Sequence, residues 1–240
     1  ATAVAARFGW RAAIGVGAAV AIPVLVAFAW RIERTPPDRP DESMRDRMAI
    51  RPLVGLLTRP PIAFTTLVAF LGAFAWQATA SFLPTFLVSF RDLSVTSAGL
   101  LFSAYFVVSG LGTPTIGWVS DRVGRDGAAI GTMAAGVVGY ALLVVGPRIG
   151  LLPAIALVGV AMTWGAPLQS RFFDKFEANE RGAAFGLVRT AYMVLGATGS
   201  VAVGALSDVA GWAAAYGLLA GVTGLALVLL VANLALGLDL

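Results

Sequence analysis

Residues 117–127 read "GWVSDRVGRDG", a polar turn set between two long apolar stretches. Four charges, Asp121, Arg122, Arg125 and Asp126, fall within six residues of a chain that is 58% hydrophobic. So short a connection between two antiparallel helices needs a residue free to take positive φ, and Gly124 supplies it. Asp121 is placed to pair with Arg122 or Arg125, or to face the positive N-terminal end of a neighbouring helix. What the turn does depends on what flanks it.

Only 12% of the 240 residues are charged, and the mean hydropathy is +0.85. A soluble domain carries about 25% charged residues, so half that content points to a membrane as solvent. The chain has no Cys and no His. That excludes a disulfide framework, a thiol nucleophile, an imidazole base and the usual zinc sites, and no metal or cofactor is expected. A net charge of +4 would suggest nucleic acid in a soluble protein. Here basic loops on the cytoplasmic side of a membrane explain it, and no nucleic-acid partner is expected.

A hydrocarbon core of roughly 30 Å is crossed by about 20 apolar residues in a helix. Seven segments qualify, near 12–30, 62–90, 98–119, 128–146, 151–170, 182–207 and 212–236. The runs are too long, and too little alternating, for the strands of a membrane barrel. The expected fold is therefore all-α and polytopic, with about seven transmembrane helices. The longest polar stretch, "RIERTPPDRPDESMRDRMAIRPLVGLLTRP", holds seven Arg and five acids and reads as a linker, with a surface helix around 43–57. This divides the chain into 1–30, a linker 31–60, and a bundle 61–240.

Of 17 basic residues, twelve fall in the linker, in 119–127 and in 171–181, all on one side when the spans alternate. The other side has Arg7, Arg11, Arg91 and Arg148. This asymmetry places the linker in the cytoplasm and the protein in the cytoplasmic membrane. Three glycine pairs, Gly127/Gly131, Gly182/Gly186 and Gly217/Gly221, have the GxxxG spacing that lets helices approach closely in lipid. There is also an internal echo: "RFGWRAAIGVGAAV" at 7–20 is similar to "VAGWAAAYGLLAGV" at 209–222, each with Gly-Trp at the mouth of a helix.

Between two spanning helices, Gly117, Asp121, Arg122, Gly124 and Arg125 resemble the signature Gly-x-x-x-Asp-Arg-x-Gly-Arg-(Arg/Lys) loop of the major facilitator superfamily of secondary transporters. Asp126 departs from the pattern, standing where a basic residue is usual. The resemblance extends along nearly the whole chain. It implies that 12–30 is a sixth helix and that 62–236 are the six helices of the carboxy-terminal half. The first five helices would then be missing, and the amino-terminal half would be the partner of this bundle. Such proteins move a small solute by rocking their halves about a site near the bilayer midplane; bond-making catalysis is not implied, so no enzyme is expected.

At that depth the candidate pathway residues are Gln77 and Ser81, four apart on one helical face, with Tyr105, Trp164, Gln169, Arg189 and Tyr192. Helix-to-helix hydrogen bonding is the competing role for each. No Asp or Glu lies well inside a span, so for protons as the coupling ion the titrating acid is expected in the other half. Arg189 is the one charge clearly inside a span; either it snorkels to the interface or it faces a water-filled path and favours anions. Organic anions and drug-like compounds are thus the candidate cargo. The alternative is a heptahelical receptor or sensor, which does not account for the signature loop. A retinal protein is excluded, because the only Lys, Lys175, lies in a polar loop rather than mid-helix.

Overall fold

The computed structural model describes residues 7–32, 50–178 and 180–240, so residues 33–49 of the linker, including the start of the expected surface helix, lie outside them. The chain forms two units, Ala1–Met48 and Ala49–Leu240. The first contains helix α1 (Trp10–Arg31), 22 residues of almost wholly apolar, exposed surface around an internal Pro23.

Every secondary-structure element of the second unit is a helix among the described residues. It opens with α2 (Ile50–Leu57), a short amphipathic helix that packs against α3 and α8 and buries Leu56. Then come α3 (Pro60–Ser89), α4 (Val95–Val123), α5 (Arg125–Val145), α6 (Leu151–Ala161), α7 (Gly165–Lys175), α8 (Arg181–Gly196) and α9 (Thr198–Leu236). Six helical stretches are long and apolar enough to cross a membrane, and the last runs 56 residues from Arg181 to Leu236. At 1.5 Å per residue such a stretch would reach about 84 Å, nearly three bilayer cores. It is two spans, separated where Gly211 takes φ 82 and ψ 170 inside α9. Seven spans result, as the hydropathy pattern predicts.

Gly211 is one of three glycines in the same unusual conformation. Gly9 has φ 83 and ψ 163, and Gly124 has φ 90 and ψ 156. This region is essentially closed to residues with a Cβ, and each glycine stands immediately before a new helix. The two Gly-Trp pairs of 7–20 and 209–222 therefore share a backbone feature: each glycine takes this conformation and the tryptophan after it is helical.

α3 is the central helix, packed on α8, α9 and α2, while α5 packs on α6 and α9 and α4 on α6. The core divides by depth. One cluster joins Leu83, Phe86, Tyr105, Tyr140, Ile155 and Tyr216; the other joins Ile62, Val68, Met133, Phe172, Val188 and Leu230. Two spans break near mid-depth between them. A 3-10 turn at Met162–Trp164 separates α6 from α7, and a turn at Ala197 separates α8 from α9. Neither break is marked by a charge or a proline at the turn itself.

The GxxxG pairs do not mediate close contacts within this unit. A Cβ at Gly131, Gly182, Gly186, Gly217 or Gly221 would meet nothing within 4 Å, and at Gly127 only Val123 at 3.5 Å. Spacing puts two glycines on one face but does not say which way that face looks. The close approaches are at Gly139 on Val158, Gly159 on Val108, and Gly196 and Gly199 on Ala73 and Phe74.

On the side opposite the signature loop, two arginines cap helices reciprocally. Arg91 donates to the carbonyls of Val144 and Gly146 at the end of α5, at 3.4 and 2.5 Å. Arg148 donates to those of Arg91 and Asp92 beyond the end of α3, at 3.4 and 2.9 Å. Guanidinium groups satisfy helix C-terminal carbonyls and complement the dipole there. These two charges on the basic-poor side are structural.

Candidate functional site

The signature turn folds as its residues require. Gly124 reverses the chain between α4 and α5, and Asp121, one turn before, pairs with Arg125. Of the partners open to Asp121 in the sequence, the structure selects Arg125; Arg122 instead lies over the Trp118 ring, 3.5 Å from its centroid. Arg125 also reaches across to α7, where its Nε donates to Asp174 Oδ2 at 3.1 Å. Gly117 lies one turn before Asp121 in α4 with nothing near its Cβ position.

Asp126, the departure from the family pattern, has its own partner. It forms an ion pair with Arg171 of α7, whose side chain is 7% exposed. The Arg171 Nε donates to Thr65 Oγ1 of α3 at 3.0 Å, and Thr65 passes its own proton to the Pro61 carbonyl at 2.7 Å. The guanidinium also sits 5.6 Å from the centroid of the Phe64 ring. A cleft of about 400 Å³ opens beside this network, lined by Arg125, Asp126, Arg171, Asp174 and Lys175 across from Asn233 of α9. The loop is thus bolted to α7 by two ion pairs and, through Arg171, to α3. Asp126, Arg171 and Asp174 are absent from the sequence-derived site. The signal for them was available: an acid at a normally basic position calls for a cation, and Arg171 is the first charge after a long apolar run.

A second link on this side joins α3 to α8. Arg59 makes a bidentate fork to Glu180, at 2.5 and 3.3 Å. The guanidinium holds the Glu180 carboxyl below its ordinary range. A lowered carboxylate pKa contributes stability at pH values above the unfolded-state pKa and loses it as pH falls through the folded value. The fork is therefore expected to persist at pH 5 and to open only below the usual carboxylate range. A Glu180→Gln variant should show a flatter melting-temperature profile between pH 5 and pH 3 than the parent; identical profiles would contradict this.

The pathway candidates fall into separate groups. Gln77 and Ser81 sit on α3, half-buried and exposed respectively, and Ser81 hydrogen-bonds Ser200 of α9 at 3.0 Å. With Thr85 and Ser89, both exposed, they continue a polar stripe at four-residue spacing along α3. Tyr105 is fully buried in the core, its hydroxyl without a protein partner. Gln169 is exposed on α7. Trp164 stands at the 3-10 break, 7% exposed, with Gly72 of α3 beneath it: a Cβ there would come within 2.7 Å of the indole. Its ring meets that of Tyr192 edge-on, 6.0 Å between centroids. Arg189 is exposed on α8, its guanidinium 5.8 Å from the centroid of Phe185, one turn away. The structure therefore brings together Trp164, Tyr192 and Arg189 on one side and Ser81 with Ser200 on another.

Comparison with known proteins assigns this architecture. The family model described as Major Facilitator Superfamily matches residues 1–96 and 90–236. The chain belongs to the major facilitator superfamily. Solved structures of that fold are similar to it. The POT family transporter PepTSo, crystallised in meso, aligns with TM-score 0.63 and 18% identity. A peptide transporter POT in complex with sulfate gives 0.65 and 21%, and a POT family transporter in complex with 5-aminolevulinic acid gives 0.62 and 17%. At such identities the likeness is one of fold. The alignments cover 70–72% of this chain and 36–37% of those proteins, so the chain spans well under half of the transporters it matches. No curated protein matches it. As a major facilitator chain with several helices able to cross a membrane, it is an integral membrane protein.

Proposed function

We propose that this major facilitator chain is the carboxy-terminal half and sixth helix of a carrier that moves a small organic anion across the cytoplasmic membrane by alternating access. The linker and the signature loop face the cytoplasm in this reading, and an amino-terminal half supplies the other wall of the path. The observation that carries it is Arg189. It lies eight residues inside α8, on the order of 12 Å beyond Arg181, and no acid pairs with it among the described residues. An arginine at the bilayer centre costs about 2.5–3.5 kcal/mol on insertion scales, and less nearer the surface. A water-filled path where the guanidinium meets an anionic solute offsets that cost. Sulfate and 5-aminolevulinic acid, bound by two fold neighbours, belong to the same chemistry.

The polar stripe Gln77, Ser81, Thr85 and Ser89 and the Ser200 hydroxyl supply the rest of a hydrated wall. The signature network acts at a distance. Asp121, Arg122, Gly124 and Arg125 lie at the end of α4 and start of α5, far from mid-depth, so they act by biasing one conformation over another. No step makes or breaks a covalent bond. Protons are the candidate coupling ion, with the titrating acid in the other half.

The test is uptake by the full-length carrier in liposomes, using a panel of labelled carboxylates and sulfate with matched neutral solutes. Arg189→Gln is expected to weaken the anions on the order of tenfold or more, and Arg189→Lys to restore only part, since an ammonium lacks the bidentate fork. Unchanged affinity and rate for every anion in Arg189→Gln would leave a snorkelling side chain and no basis for anion preference.

A further inference from the structure

The turn at Gly211 repeats the signature turn. Residues 204–211 read "GALSDVAG" and 117–124 read "GWVSDRVG", so Gly, Ser, Asp and a second Gly recur at four matched positions. The backbones agree as well. Gly124 takes φ 90 and ψ 156, Gly211 takes φ 82 and ψ 170, and each has its acid three residues before it. Three spans separate the two turns, so they lie on opposite sides of the bundle. They differ at the residue after the glycine. The signature turn has Arg125 there, paired with Asp121. The second turn has Trp212, whose ring packs among Phe82, Phe86 and Tyr216. Asp208 thus holds the place of Asp121 without its cation. It is exposed, and it enters no ion pair among the described residues.

The register of α3 against α9 places this acid at the rim of the polar stripe. The two helices run in the same direction and touch: Gly199 bears on Phe74, Ser200 on Ser81, and Gly204 on Phe82. Ser200, Gly204 and Asp208 follow at intervals of four along one side of α9. Ser81, Thr85 and Ser89 do the same on α3, and all three are exposed. Counting on from the Ser81–Ser200 bond, Ser89 and Asp208 stand at about the same level. The stripe that begins at Gln77 therefore ends at a carboxylate, on the side away from the signature loop. Uncovered, that charge repels an anionic solute. A cation from the facing half covers it and closes the mouth in one contact.

We propose that Asp208 docks an arginine or lysine side chain of the amino-terminal half and so closes the path on the side opposite the signature loop. In the signature turn the cation is built in, and the turn is fastened to its own bundle. In the second turn the cation's place is given to a packing tryptophan, and the acid is left for a partner. This inference rests on the alternating-access reading and adds a residue that acts at one of its two mouths.

The probe is Ser81→Cys in the full-length carrier, kept free of other cysteines and reconstituted in vesicles of one orientation. Two thiosulfonates that do not cross the membrane, one cationic and one anionic, are added on the side away from the signature loop. Asp208→Asn is expected to raise the rates of both on the order of two- to fivefold, the scale of a lost exposed ion pair. Asp208→Arg should raise them further, and Asp208→Glu, which keeps the charge, should behave as the parent. From the other side Asp208→Asn should slow both reagents, because one conformation gains population at the expense of the other. Salt screens the pair, so both rates should rise with ionic strength in the parent and stay level in Asp208→Asn. Opposite changes for the two reagents would mean a local field without a gate, and unchanged rates in Asp208→Asn and Asp208→Arg would mean a solvated acid. Either result overturns the proposal. A thiol at 81 that reacts from neither side in any background refutes the hydrated wall, and the gate with it. The expected rate changes without uptake of any anion refute the anion-carrier reading and leave the gate standing.

Discussion

Asp126→Asn is expected to destabilise the bundle by about 3 kcal/mol, the low end of the range for breaking a buried ion pair from one side. Arg171 is nearly inaccessible, and Asp126 is its only ionic partner among the described residues. Without the carboxylate, the guanidinium keeps the Thr65 hydroxyl and the Phe64 ring, neither of which neutralises a charge. The low end applies because the Asp126 side chain is 27% exposed and water reaches that side of the pair. The decisive comparison is a double-mutant cycle. Arg171→Met combined with Asp126→Asn removes both charges and should recover most of the loss, because a buried pair replaced by neutral groups of similar volume is often nearly neutral. Melting temperatures of the full-length protein in detergent give the four corners. A double variant as unstable as the sum of the singles would mean that the two residues act independently and that the loop is not bolted to α7 through them.

Gly199→Ala is expected to cost about 1–3 kcal/mol or more, as overpacking a tight contact does. An added Cβ would lie 2.2 Å from the Phe74 carbonyl oxygen and 2.9 Å from its carbon. Both are backbone atoms of α3, so no side chain can rotate away and the helices must separate. Gly186→Ala is the control, since its Cβ meets nothing within 4 Å and its backbone is helical. There the substitution should stabilise by about 0.4–1 kcal/mol by restricting the unfolded chain. Opposite signs at two glycines thirteen residues apart in neighbouring helices are the expected result of thermal unfolding. A stabilising Gly199→Ala would remove the close contact between α3 and α9.

The same pair of glycines shows what was legible in the sequence. Hydropathy located seven spans because lipid demands about 20 apolar residues per crossing, a constraint written locally. The signature loop was legible because its requirements are local too: positive φ at Gly124 and a nearby cation for Asp121. The direction in which a glycine faces is not local. Gly182 and Gly186 have the spacing of a contact and face open space, whereas Gly196 and Gly199 bear on α3. The pairing of Asp126 with Arg171 spans 45 residues, and only the mismatch with the family pattern hinted at it. The breaks at Met162–Trp164 and Ala197 left no trace, because a 3-10 turn of apolar residues has the composition of a helix. Tyr105 had the polarity of a pathway residue, but its phenol lies among the core aromatics, 5.9 Å from the Phe102 ring centroid.

The central claim is that Ser81 and Arg189, from two different helices, both line a water-filled path, and one measurement tests it most directly. The chain has no cysteine, so in a full-length carrier kept free of other cysteines, single replacements Ser81→Cys and Arg189→Cys give unambiguous thiols. Their rates of reaction with a charged, membrane-impermeant thiosulfonate are compared with those of Val228→Cys, on an exposed apolar position of α9. The expected result is rapid modification of both pathway cysteines and negligible modification at 228, with the rate at 81 falling when the transported anion is present. Thiols at 81 and 189 that react no faster than the one at 228 would place both positions against lipid and contradict the account.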